Sequence, residues 1–183
     1  MKPIFTLHAG EFVFGEHVER NYRGTRLWVP TKDTGIDFLI TDAVGKKTVS
    51  IQVKMSRDYR PSLASTEFER SLKAAGWFVF SHSALESSPA DIWSIVLISH
   101  ERKSQPVFVN VPPKELLTFL VKTHGERKSY HLYPWLFQDG RCIEGRGMKK
   151  LDKKAFISGK YQVGSRDLSA YHENWEFMKP LQS

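Results

Sequence analysis

Apolar positions in the first third of the chain fall into short periodic blocks separated by turn residues. Phe14, Val18 and Tyr22 recur every fourth residue. That spacing predicts a helix over about residues 11–22, with Gly24 as its stop. Arg26-Leu27-Trp28-Val29-Pro30 reads as a short strand closed by proline. The turn signal Asp33-Thr34-Gly35 leads into a second strand over 36–40. Gly45-Lys46-Lys47 reads as a hairpin turn, and residues 48–54 then alternate cleanly. In that third strand Ile51 and Val53 point to one face, Gln52 and Lys54 to the other.

The pattern continues as helix, strand, strand, strand, helix. A cap at Ser65 or Thr66 opens a helix that runs through Leu72 and stops at Gly76. Trp77-Phe78-Val79-Phe80 reads as a buried strand, and residues 92–99 and 107–111 as two more. Pro112-Pro113 leads into a helix over about 114–123. This order predicts an α/β fold with a central mixed β-sheet flanked by helices. We place the core at residues 1–125. Residues 126–183 form a basic, aromatic-rich extension (Tyr130, Tyr133, Trp135, Phe137) packed on that core within one domain.

Composition narrows the class. The 183 residues are 40% hydrophobic and 26% charged, as in soluble globular proteins. No stretch approaches the roughly 20 apolar residues that span a bilayer. The N-terminus lacks the sustained apolar run of a signal peptide. Cys142 is the only cysteine, which excludes an intramolecular disulfide or a multi-cysteine zinc site and suits a reducing cytoplasm. The net charge of +7 is uneven. Residues 1–100 carry 12 Lys/Arg against 11 Asp/Glu, and residues 101–183 carry 15 against 9. A basic half joined to a near-neutral half fits a polyanion partner, or simply a basic solvated surface.

The chemistry concentrates on the second and third strands. Asp37 sits between Ile36 and Phe38, where a carboxylate is costly unless paired or bound to metal. A hairpin joins its strand to that of Gln52 and Lys54, so the three side chains can converge at one end of the sheet. Glu16, on the preceding helix, can pack over that end, although Glu11 and Glu19 share the helix. Two carboxylates, an amide oxygen and a lysine describe a hard-cation site with a cationic group beside it.

Gly15-Glu16-His17-Val18, Asp33-Thr34-Gly35-Ile36-Asp37-Phe38 and Ile51-Gln52-Val53-Lys54 together resemble the PD-(D/E)XK nuclease superfamily, over roughly residues 10–111. The resemblance is to the branch of Mrr-like restriction endonucleases and bacterial proteins with Gly-Ile-Asp followed by Gln-X-Lys. It implies a restriction-endonuclease-like core and a Mg²⁺-dependent (or Mn²⁺-dependent) endonuclease acting on DNA, with RNA left open as the alternative substrate. It further implies that Glu16, Asp37 and Gln52 ligate the metal, that Lys54 is the catalytic lysine, and that the chain can work as a homodimer. The Gly-Glu-X-Val match selects Glu16 over Glu11, the next choice. Gln52 departs from the common carboxylate and removes one negative charge from the site.

Beyond the motif, Arg57, Tyr59 and Arg60 follow the third strand directly and suit phosphate contacts, or else belong to an exposed loop. Lys149, Lys150, Lys153 and Lys154 form a charge run that reads as a solvated face or as a DNA-backbone contact. Trp135 and Trp175 read as packing anchors.

Overall fold

The computed structural model describes residues 8–32, 34–56, 59, 66–98 and 105–182. Helix α1 (Ala9–Asn21) is followed by β1 (Arg26–Trp28), β2 (Phe38–Thr41) and β3 (Thr48–Ser56). After α2 (Thr66–Ser71) come β4 (Leu72–Ala75), β5 (Phe78–Ser81), α3 (His82–Glu86), β6 (Ile92–Leu97), β7 (Val107–Val111) and α4 (Pro113–His124). The C-terminal part adds β8 (Ser129–Leu132), β9 (Pro134–Phe137), β10 (Cys142–Glu144), α5 (Lys150–Ile157) and three short 3-10 turns.

The central sheet has the order β1-β2-β3-β6-β7. β3 and β6 run parallel and the other neighbours antiparallel, so the sheet is mixed as expected. Parallel neighbours need a long crossover, and α2 through α3 supply it. The alternation of β3 sorts its side chains between two cores. Ile51 and Val53 join Phe14 and Val18 of α1, and Phe14 stacks on Phe38 at 5.7 Å. The opposite face of the sheet is covered by Leu85 of α3 and by Leu116 and Leu120 of α4.

The C-terminal segment closes the α1 side and one sheet edge. Met178 and Leu181 enter the α1 core. Glu173 exchanges hydrogen bonds with Phe108 of edge strand β7: its N–H donates to the Phe108 carbonyl at 2.8 Å, and its carboxylate accepts from the Phe108 N–H at 3.0 Å. An edge covered this way is not open to further strand pairing. Trp175 stacks on His17 at 4.5 Å, and burial there lowers the His17 pKa. Trp135 is 3% exposed. Both tryptophans are packing anchors, as their sequence setting indicated.

Two sequence expectations change. The helix expected to run to Gly76 ends at Ser71, and Leu72–Ala75 is a strand paired with β9. Leu72 lies four residues after Phe68, which suits a helix, but burial of Leu72, Ala74 and Ala75 beside β9 overrides that local period. Residues 78–81 do form a strand, but it pairs with β8 outside the central sheet. It is buried on one face only: Phe78 and Phe80 point inward, while Val79 is 53% exposed. The expected cap Ser65 lies outside the described residues.

Candidate active site

The β2–β3 hairpin builds one side of the site. Phe38 faces Ile51 in the antiparallel register, and Asp37 is the residue just before β2 begins. The Asp37 N–H donates to the Ile51 carbonyl at 2.8 Å, so Asp37 and Phe38 both address Ile51 and the ladder is offset by one residue as β2 begins. β3 runs on to Ser56, and beyond Asp37 it has no partner in β2. Asp37 itself fills the first gap: its Oδ2 accepts the Val53 N–H at 2.7 Å. The carboxylate is thereby fixed at the point where the two strands part.

Gln52 and Lys54 lie on the same face of β3. With the Gln52 amide nitrogen donating to the Gly35 carbonyl at 3.2 Å, its oxygen accepts from Lys54 Nζ at 3.1 Å. Lys54 also sits over the Trp93 indole, 5.4 Å from the ring centre. That indole is held in turn by its N–H bond to Ser88 Oγ at 2.8 Å. The ammonium is therefore aimed by an amide oxygen and by an aromatic face.

The N-terminus of α1 forms the other wall. A Cβ at Gly10 would lie 2.6 Å from Met55 Cβ, so only glycine lets the helix approach β3 this closely. The approach brings His8 and Glu11 to a cleft of about 490 Å³ that is also lined by Asp37, Gln52 and Lys54. Glu11 Oε2 accepts the His8 N–H at 3.0 Å, a capping bond that fixes its position in the first turn.

The structure thus unites Asp37, Gln52 and Lys54 and sets Glu11 beside them. Glu16 does not line this cleft. It is half-exposed and pairs with Arg20 at 2.7 Å along the outer face of α1. Sequence spacing alone left three glutamates open on this helix. The signal that separates them is the close approach at Gly10, which directs the first turn, not the second, at β3.

The outer candidates divide. Arg57 and Arg60 lie outside the described residues. Tyr59 donates its N–H to the Ala75 carbonyl at 3.1 Å and meets Tyr133 edge-on, with ring centres 5.1 Å apart. Lys149, Lys150 and Lys154 are exposed, whereas Lys153 turns inward and is 7% exposed. Its ammonium lies 5.3 Å from the Trp135 ring centre and 5.7 Å from that of Phe68, and burial lowers its pKa.

Asp37, Glu11 and the Gln52 amide offer hard oxygen donors, the chemistry that suits Mg²⁺. Among the described residues no three His, Cys, Asp or Glu side chains lie close enough together to hold a metal ion. An ion here would therefore depend on the Gln52 oxygen and on water, which Mg²⁺ ordinarily retains. No protein-family model, curated protein or solved structure matches the chain.

Proposed function

We propose that this chain is a metal-dependent endonuclease of the PD-(D/E)XK type that hydrolyses DNA phosphodiester bonds in the cytoplasm, in restriction, defence or repair. The observation that carries the reading is the meeting of Asp37, Gln52 and Lys54 in one open cleft, with Lys54 beside the Gln52 oxygen. The restriction-endonuclease-like core is part of the same proposal. Its support is the mixed five-stranded sheet with this hairpin at its centre and α1 packed over it.

Mg²⁺, or Mn²⁺ in its place, would be held by Asp37, by the Gln52 oxygen and by Glu11. When bound it supplies a Lewis acid that polarises the phosphodiester. Lys54 orients the attacking water and offsets the negative charge that develops on the phosphoryl oxygens. We assign the helix carboxylate to Glu11 rather than Glu16 because Glu11 lines the cleft.

The test is cutting of plasmid DNA by purified protein with Mg²⁺ or Mn²⁺. Cutting that needs the metal and is lost in Lys54→Ala is expected. Absence of cutting, or full cutting by Lys54→Ala, contradicts the proposal. A second reading, DNA binding without cleavage, draws on the small number of acidic ligands at the cleft. Salt-dependent DNA binding that is unchanged by Asp37→Ala, with no cutting, supports that reading.

A further inference from the structure

A row of aromatic rings begins where the strand bearing Lys54 ends. The Trp77 N–H donates to Ser56 Oγ at 3.0 Å, and Ser56 is the last residue of β3. The Trp77 side chain is 47% exposed. It is held from one edge: its indole N–H donates to His131 Nδ1 at 3.1 Å, with the two rings within 16° of coplanar. Tyr133 stacks on Trp77 in turn, with ring centres 6.4 Å apart and 23° between planes. An exposed tryptophan fixed by a hydrogen bond at its indole edge, with Tyr133 beside it, is pre-organised as a flat surface.

The row leads into a cavity of about 200 Å³. Ligand pockets for drug-sized molecules run to roughly 300–1,000 Å³, so this one has room for a single small planar group. Tyr59, Tyr133 and Trp135 supply its aromatic walls, and Lys153 and Arg146 its cations. Gly145 forms part of the wall because a Cβ there would lie 2.1 Å from the Trp135 ring. Trp135 is almost fully buried, and its indole N–H has no hydrogen-bond partner among the described residues.

We propose that Trp77, Tyr133 and this cavity bind an unstacked nucleotide of single-stranded nucleic acid, with bases stacked on the rings and oxygen atoms of the nucleotide facing Lys153, Arg146 and the Trp135 N–H. Two features select that ligand. Flat aromatic faces receive bases of any sequence. Cations set among those rings match the phosphate that accompanies each base, in the chain half that carries 15 Lys/Arg against 9 Asp/Glu. The proposal rests on the nucleic-acid part of the functional reading but not on cleavage.

The experiment is fluorescence anisotropy with a labelled dT oligomer of about 12 nucleotides, within the roughly 4–16 that stacking grooves engage. It is run in EDTA, so that no cutting occurs, alongside a duplex of equal length. Trp77→Leu and Tyr133→Leu are each expected to weaken dT binding about tenfold, equivalent to about 1.4 kcal/mol. Duplex affinity should stay within about twofold, since paired bases do not stack on side chains. Lys153→Met should flatten the slope of log affinity against log salt by about 0.7. Failure of the wild type to bind dT at low salt overturns the proposal, as do unchanged binding by both ring variants and equal weakening toward duplex. Binding of dT by a chain that cuts nothing removes the nuclease reading alone. Cutting of duplex by a chain that ignores dT removes this inference alone.

Discussion

Replacing Asp37 tests a bond that ties the proposed chemistry to the fold. Its carboxylate accepts the Val53 N–H at 2.7 Å, at a residue only 7% exposed and beyond the reach of β2. Asp37→Ala removes the acceptor and leaves a nearly buried donor. Hydrogen bonds to charged groups contribute about 1.5–3 kcal/mol. For a domain of this size each kcal/mol shifts the melting temperature by about 2–4 °C, so a drop of roughly 3–12 °C is expected. Asp37→Asn keeps an oxygen acceptor without the charge. A neutral bond has about half the strength of a charged one, so the loss falls to about 1 kcal/mol, or about 2–4 °C. Thermal unfolding of the three proteins, followed by circular dichroism at one pH, measures the series. Asp37→Ala melting within about 1 °C of wild type would refute the latch. So would an Asn variant no more stable than the Ala variant.

Two further outcomes follow from the same geometry. Glu11→Gln should lower metal-dependent cutting by roughly 10–100-fold, as weakened metal sites do, whereas Glu16→Gln should leave cutting within about twofold and cost only a surface pair worth about 0–1 kcal/mol; plasmid nicking rates distinguish them. Lys153 is held below the ordinary lysine pKa by burial, so the unfolded chain binds its proton more tightly. That penalty is full below the folded pKa and fades as pH rises toward about 10.5. The melting temperature of Lys153→Met relative to wild type should therefore be higher at about pH 7 than at about pH 10, and a pH-independent difference would contradict the assignment.

The hairpin was legible in the sequence because strict alternation over residues 48–54 and a turn at Gly45 fix both register and face. That hairpin brings Asp37 beside the segment of β3 that carries Gln52 and Lys54. Choosing the helix glutamate required knowing where α1 approaches β3, and that is decided by a contact at Gly10, distant in sequence from Met55. The same limit hid β4. Its apolar residues match a helical period, and only pairing with β9 makes them a strand. The lysine run at residues 149–154 looked uniform, yet helix geometry turns Lys153 toward Phe68 and Trp135 while its neighbours face solvent. The aromatic row from Trp77 to Tyr59 joins residues on separate segments, so no local pattern could reveal it.

The central claim is that Asp37 and Gln52 form one side of a divalent-cation site. Anomalous diffraction from a crystal soaked in Mn²⁺ tests it most directly. The account predicts a peak between the Asp37 carboxylate and the Gln52 oxygen, with Glu11 beside it, that is absent from Asp37→Asn crystals. A fully soaked wild-type crystal with no peak in the cleft, or a peak unaffected by Asp37→Asn, would contradict it.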